Sequence, residues 1–334
     1  MLQLLRKTVC GGLSMLPSIV VGLTAAVVSV ACSSSSLSSG GDVERVAVGR
    51  LDRAMRCSES VERLDSALLT PARSLFAVSG YGELTDSSLA VYRENPSIVF
   101  HEGAVDSVWQ SLDDLELTMG RIKANFLRLF PDRSFPQVYA IVSPFNQSVI
   151  TVDSMLFVGL NHYLGRDYPA YAYFPDYIRC RKTPERIGAD VAEALVRRNF
   201  PYAPTTDYPT TVSRLLYEGA VVEAVMQLTG LGEREVLGYD AVQMKWLADN
   251  ERAVWETIVG REWLFSSDSQ IVASLVAVAP FTSVIGQEVP GGVGRFVGHR
   301  IVASFVENND EFTVGMLLSQ AFYDARDVLS RSGY

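Results

Sequence analysis

The most regular hydrophobic pattern lies in residues 103–130. Val105, Val108, Leu112, Leu115, Met119, Ile122, Phe126 and Leu129 step by threes and fours up to Pro131. That spacing predicts a helix with one apolar stripe, ended by the proline. A core-facing helix pair interrupted near Gly120 suits the stripe better than a coiled coil. Upstream, Asp42 to Leu51 alternates apolar and polar residues with period 2, which predicts a strand. Residues 60–77 carry a helical pattern, and 97–101 reads as a short strand or extended link. Residues 137–143, 148–152 and 155–158 are short β-branched runs, and 144–147 reads as a turn between the first two. They predict a small antiparallel sheet. Beyond it the chain reads as helical. Thr183-Pro184-Glu185 supplies an N-cap, a proline at the first helical position and an early acid. That helix runs to Asn199, with Arg197 and Arg198 at its negative end. Further helices fit 209–229, 239–258, 293–307 and 314–331, with a tight loop at 287–292. The predicted class is α+β and mostly helical.

The N-terminus follows a different pattern. Arg6 and Lys7 precede an uncharged run from Thr8 to Ala31, and Cys32 is followed by Ser33 to Ser36. A basic start, an apolar core and a small-residue junction predict a secretory signal over residues 1–31. A cysteine directly after Ser29-Val30-Ala31 reads as a lipoprotein junction, with the lipid on Cys32. Ser29 stands where leucine is more usual in such junctions. Two alternatives stay open. The same three residues suit ordinary cleavage, which releases a soluble protein, and the uncharged run is long enough to span a bilayer uncleaved. Residues 32–41 are rich in Ser and Gly and predict a flexible tether. Residues 42–334 are then a single domain.

Charge narrows the partners. The formal net charge is −9, and no basic stripe is visible. Nucleic acid is excluded as an expected partner, and an acidic body is not drawn to an anionic membrane surface. The lipid is therefore the expected membrane contact. Of the four cysteines, Cys57 and Cys180 fall in the body. An oxidising compartment permits a bond between them, but their spacing does not require one.

The order of a small sheet, a helix, and a helix containing Glu-Gly is that of zinc peptidases with the HExxH motif. Such a helix presents two histidines to one metal, with a glutamate as general base beside them, and a later glutamate completes the site. Here Glu193 occupies the base position and Glu218 the later one. The two ligand positions hold Ala192 and Val196, which have no donor atoms. The three histidines, His101, His162 and His299, show no ligand spacing. The expected core is thus zincin-like with a degenerate metal site, no metal and no cofactor. The plainer reading makes Glu193 and Glu218 structural carboxylates paired with arginines. Glu223 lies in the middle of an apolar stripe and needs a partner if buried.

Several segments together are more specific. They are Gly238-Tyr239, Gln243, Trp246, Asn250-Glu251 and Trp255; Pro290-Gly291 with Val293 to Val302; Val158 to Gly165; Phe174 to Ile178; and Leu216 to Gly219. On these the chain resembles the gliding-motility lipoprotein B (GldB) family of Bacteroidota, from about Val43 to the C-terminus. It departs from the family pattern at Asn161, Phe296 and His299. The resemblance implies an envelope lipoprotein, related to zinc proteases but lacking their histidines, that supports gliding motility and the linked secretion apparatus.

The expected function is therefore a non-catalytic, lipid-anchored cell-envelope lipoprotein that binds an envelope protein partner, with Tyr217, His299, Trp246 and Asn161 as possible binding residues. The alternative is a divergent metallohydrolase using Glu193 and Glu218, with His299 or His162. A third reading is a ligand-binding module built on Tyr163, Tyr168, Tyr171, Tyr173, Phe174 and Tyr177, although such a run is more often the packing of an irregular loop onto a core.

Overall fold

The predicted strands form one sheet, but not in the arrangement their order suggests. The computed structural model describes residues 44–143, 147–207 and 209–334. The signal segment, Cys32, the tether and most of the predicted 144–147 turn lie outside the described residues. Strands β1 (Val48–Arg50), β2 (Gln137–Ile141), β3 (Val149–Val152) and β4 (Met155–Gly159) lie in the order β1-β2-β4-β3. The β1-β2 and β2-β4 pairs are parallel, and only β3 runs antiparallel, at the edge. The sheet is thus mixed, which corrects the antiparallel expectation. The reason is visible in the residues. β4 is buried along its whole length and β2 along all but its first residue, as continuous apolar strands at the centre of a parallel sheet require. The tight hairpin turn is Asp153-Ser154, with Asp153 at φ 48°, so β3 folds back on β4 rather than on β2. The N-terminal strand is also shorter than expected, because Leu51 already begins a helix.

The helices are α1 (Leu51–Cys57), α2 (Ser66–Val78), α3 (Asp86–Arg93), α4 (Pro96–Val108) and α5 (Asp113–Leu129) before and around the sheet. After it come α6 (Asp176–Arg179), α7 (Ile187–Asn199), α8 (Thr211–Thr229), α9 (Glu233–Leu237) and α10 (Ala241–Gly260). The chain closes with α11 (Ser269–Val276), α12 (Val293–Asn308), α13 (Val314–Leu317), α14 (Gln320–Tyr323) and α15 (Val328–Ser332). Residues 97–101 are helical, not extended. Asn95 caps α4 by accepting from the Ser97 N–H, and Pro96 sits at the first helical position, a start signal that outweighs the β-branched run behind it. The long apolar stripe is indeed a helix pair, but the break falls at 109–112 rather than at Gly120, which is buried inside α5. The predicted 314–331 helix is three short ones.

The core gathers around α8, which is buried along most of its length and packs against α12, α7 and α5. A Cβ on Gly219 would stand 2.2 Å from the Gly298 carbonyl oxygen, and one on Gly298 would stand 2.0 Å from that of Leu215. The backbones of α8 and α12 therefore touch, which only glycine permits. This contact positions the charged groups described next. Arg295 and His299 lie within one turn of Gly298 on α12, and Glu218 and Glu223 lie within one turn of Gly219 on α8.

Candidate functional site

At the α7–α8–α12 junction three arginines enclose two carboxylates. The Glu193 carboxylate accepts from Arg197 Nε at 2.9 Å and from Arg295 Nη2 at 2.8 Å. Glu218, 2% exposed, accepts from Arg197 Nη2 at 2.5 Å and Arg214 Nε at 2.9 Å. Arg197 Nη2 also lies 2.8 Å from Glu193, so one guanidinium nitrogen contacts both carboxylates. Burial by itself would raise the pKa of each glutamate. The arginines outweigh it, Arg295 foremost for Glu193 and Arg197 foremost for Glu218, and hold both carboxyls below the usual range. Two of these pairs were legible as helical neighbours, since Glu193–Arg197 and Arg214–Glu218 are spaced i, i+4. Arg197 was expected at the helix end as a dipole partner, but it turns into this network. Arg295, from a helix about 100 residues later, lies in a segment that carries the family resemblance, but no local spacing pairs it with Glu193.

The donor set does not fit a zinc ion. Ala192 and Val196 are buried apolar residues, and both candidate carboxylates are already saturated by guanidinium. Among the described residues no group of three His, Cys, Asp or Glu side chains could hold a metal ion.

His299 occupies a second charged position on α12. Its Nδ1 lies 2.6 Å from Glu233 and its Nε2 3.2 Å from Glu223, which is half-buried and gains a charged partner there. Burial opposes the imidazolium, but bonds to these two carboxylates prevail and raise the His299 pKa to about 9. The folded-state value lies above the ordinary 6.5, so the stabilisation is complete below about pH 6.5 and is lost as pH rises toward 9. Wild type should lose on the order of 3 kcal/mol in urea titrations between pH 6 and pH 9, and His299→Gln should lose markedly less.

The other expected residues separate. Tyr217 is buried and donates its hydroxyl to the Phe200 carbonyl at 2.9 Å. Asn161 bonds both backbone groups of Ser143 at 2.8 Å, at the C-terminal ends of β2 and β4. Trp246 is half-buried on α10, where its carbonyl accepts from Asn250 at 2.8 Å. Of the aromatic segment, Tyr163 is buried and bonds Asp190 at 2.9 Å, while Tyr173 is 94% exposed. Lys182 lies 5.1 Å from the Tyr171 ring centre and 4.8 Å from that of Phe174, beside His162 and His101 in a cleft of about 350 Å³. Cys57 and Cys180 are free thiols.

The segment Gly238-Tyr239-Asp240 with Gln243 has a local explanation. Gly238, at φ 74°, ends α9, and Asp240 and Gln243 form a reciprocal capping box that starts α10. Tyr239 is held between these signals and donates its hydroxyl to the Gly291 carbonyl at 2.9 Å. Glu251 and Trp255, farther along α10, hold the C-terminal Tyr334 by a hydroxyl bond of 3.0 Å and an edge-on ring contact at 5.0 Å.

This is a mostly helical α+β body with a small mixed sheet, and its central carboxylates are neutralised by arginine. The chain belongs to the family described as gliding motility protein GldB, whose profile matches residues 42–334. Comparison with curated proteins finds no match, and comparison with solved structures finds none.

Proposed function

We propose that this chain is a non-catalytic envelope lipoprotein that supports gliding-motility or secretion-type machinery by binding a protein partner. Residues 1–31 serve as the signal, Cys32 carries the lipid, and 32–41 tether a single zincin-like domain. The family match supports the envelope role, and the residue order at the N-terminus supports the anchor. The order of sheet, α7 and α8, with Glu193 and Glu218 facing each other, supports descent from a zincin-like core.

One observation carries the non-catalytic reading. Arg197 Nη2 lies 2.8 Å from Glu193 and 2.5 Å from Glu218, so a fixed guanidinium stands between the two groups that would otherwise serve a metal and a water. A carboxylate held by two arginines is a weak base, and most of its lone pairs already accept from guanidinium. Purified chain should bind no stoichiometric zinc and show no peptidase activity. Stoichiometric zinc together with peptidase activity that disappears in Glu193→Gln would sink this reading in favour of a metallohydrolase using Glu193 and Glu218. The anchor is tested separately by intact mass of membrane-extracted protein. The expected N-terminus is an acylated Cys32, and any other start or a missing acyl mass refutes the anchor.

A further inference from the structure

Three of the segments that carry the family resemblance meet beside the carboxylate network, with Arg295 common to both. Tyr177 follows β4 in the chain, Gly238 and Tyr239 join α9 to α10, and Gly291, Gly292 and Arg295 open α12. Together with Arg181 they surround a recess of about 30 Å³. That is room for about two waters or one oxyanion head, since about 10–15 Å³ on this measure holds one water. Its walls contain Arg181 and Arg295 and no carboxylate. It adjoins a larger recess of about 280 Å³ that shares Arg181 and Tyr239 and adds Arg186.

The cations here outnumber their partners. An added Cβ on Gly238 would lie 2.9 Å from Arg181 Nη1 and 3.3 Å from Arg186 Nη1, so two guanidiniums crowd the same bare stretch of backbone. Arg181 donates to the Leu237 carbonyl at 3.1 Å, and among the described residues no carboxylate lies within ion-pair distance of it. Arg186 pairs with Asp190 at 2.8 Å and its side chain is 6% exposed, yet its Nη2 has no hydrogen-bond partner. Arg295 is equally buried; its Nη2 pairs with Glu193, and its Nε, 3.5 Å from Glu218, makes no hydrogen bond. Among the described residues, Arg186, Arg197, Arg214 and Arg295 share ion pairs with Asp190, Glu193 and Glu218 alone, Arg181 has none, and Glu185, Glu235 and Asp240 line the larger recess without pairing to these arginines. Guanidinium does not shed its proton at working pH, so a buried excess of this kind calls for an outside anion. Burial, reinforced by Arg186 and Arg295, outweighs the pull of Asp190 and Glu193 and brings the Arg181 pKa down to about 10.

We propose that the recess at Arg181 binds an oxyanion head, a carboxylate or a phosphate, with the rest of the ligand in the larger recess. Arg181 and Arg295 hold the head from two sides, and Gly238 leaves the space that any side chain would fill. The larger recess has Glu185, Glu235 and Asp240 in its walls. It therefore favours a ligand whose negative charge is confined to its head. This inference is independent of whether the protein binds a partner or of what holds it at the membrane.

The test uses the full chain in detergent at constant ionic strength, with inorganic phosphate, acetate and neutral acetamide as probes. Thermal unfolding and calorimetric titration are the readouts. Phosphate or acetate should raise Tm with concentration, and whichever acts identifies the head. Acetamide should not act. Arg181→Met should weaken the effective anion at least about tenfold, and Arg181→Lys, which keeps charge but loses the planar fork, should weaken it less. If Arg181→Met does not fold, the Arg181→Lys titration alone decides. No response to either anion, an equal response in the Arg181 variants, or an equal response to acetamide overturns the proposal.

Discussion

Alanine at Gly298 or Gly219 is expected to destabilise the protein by about 3–5 kcal/mol, although it adds a single methyl group. An added Cβ would stand 2.0 Å from the Leu215 oxygen in one case and 2.2 Å from the Gly298 oxygen in the other. In both the obstacle is backbone, which cannot rotate away as a side chain can. Helices α8 and α12 would have to separate, which would strip packing from a region where Leu215, Leu216, Phe296 and Val297 are buried. Separation would also pull Arg295 and His299 away from Glu193, Glu218 and Glu223. Loss of stability should therefore come with loss of the His299 pH dependence. Gly103→Ala is the control. It lies exposed on α4 with nothing within 4 Å of the new methyl, and helix propensity predicts a gain of about 0.5–1 kcal/mol. Urea midpoints of the three variants measure this, and near-equal midpoints would show that the two helices do not touch as described.

Glu218→Ala is expected to cost a further 3–5 kcal/mol or so, by a different route. The carboxylate is 2% exposed and sits within 2.8 Å of Arg197 and Arg214, with Arg295 at 3.5 Å. Its removal leaves three guanidiniums around Glu193 alone. The penalty comes mainly from stranded buried charge rather than from lost hydrogen bonds. Arg214→Ala should be milder, because the Arg214 side chain is 32% exposed and the network keeps two other arginines. The sign of the pH effect is fixed by direction. Glu193 and Glu218 have folded pKa values below their ordinary ones, so their stabilisation is present above the ordinary carboxylate pKa, about 4.3. It is lost as pH falls below that value. Wild type should thus unfold steeply in acid, and Glu218→Ala should show a shallower acid limb from a lower starting stability. Equal acid limbs would remove the arginine network as the source of acid sensitivity.

Local patterns in the chain went far. The helical class, the bounds of α7, α8, α10 and α12 to within a few residues, and the family itself were readable because each rests on neighbours within one or two turns. The errors have a common origin. The antiparallel sheet, the extended 97–101 segment and the break near Gly120 were inferred from residue type without knowing what lay across from it. β2 and β4 look like hairpin partners of β3 in sequence. Only their burial, and the turn at Asp153-Ser154, decide that β2 lies parallel to β4.

The candidate carboxylates divide in the same way. Sequence alone fixed that Ala192 and Val196 cannot bind zinc, because a methyl or isopropyl group has no lone pair wherever it is placed. The i, i+4 spacing of Glu193 with Arg197 and of Arg214 with Glu218 is likewise a property of the chain itself, but only the structure shows that these pairs form. Tertiary structure decided that both carboxylates share one guanidinium, that Arg295 joins them from α12, and that among the described residues Arg181 has no carboxylate within ion-pair distance. Those facts depend on the bare backbones of Gly219, Gly238 and Gly298, which let charges far apart in the chain come within hydrogen-bonding reach. A residue's chemistry is set by its own atoms, but whether its charge is satisfied is set by what the fold brings beside it.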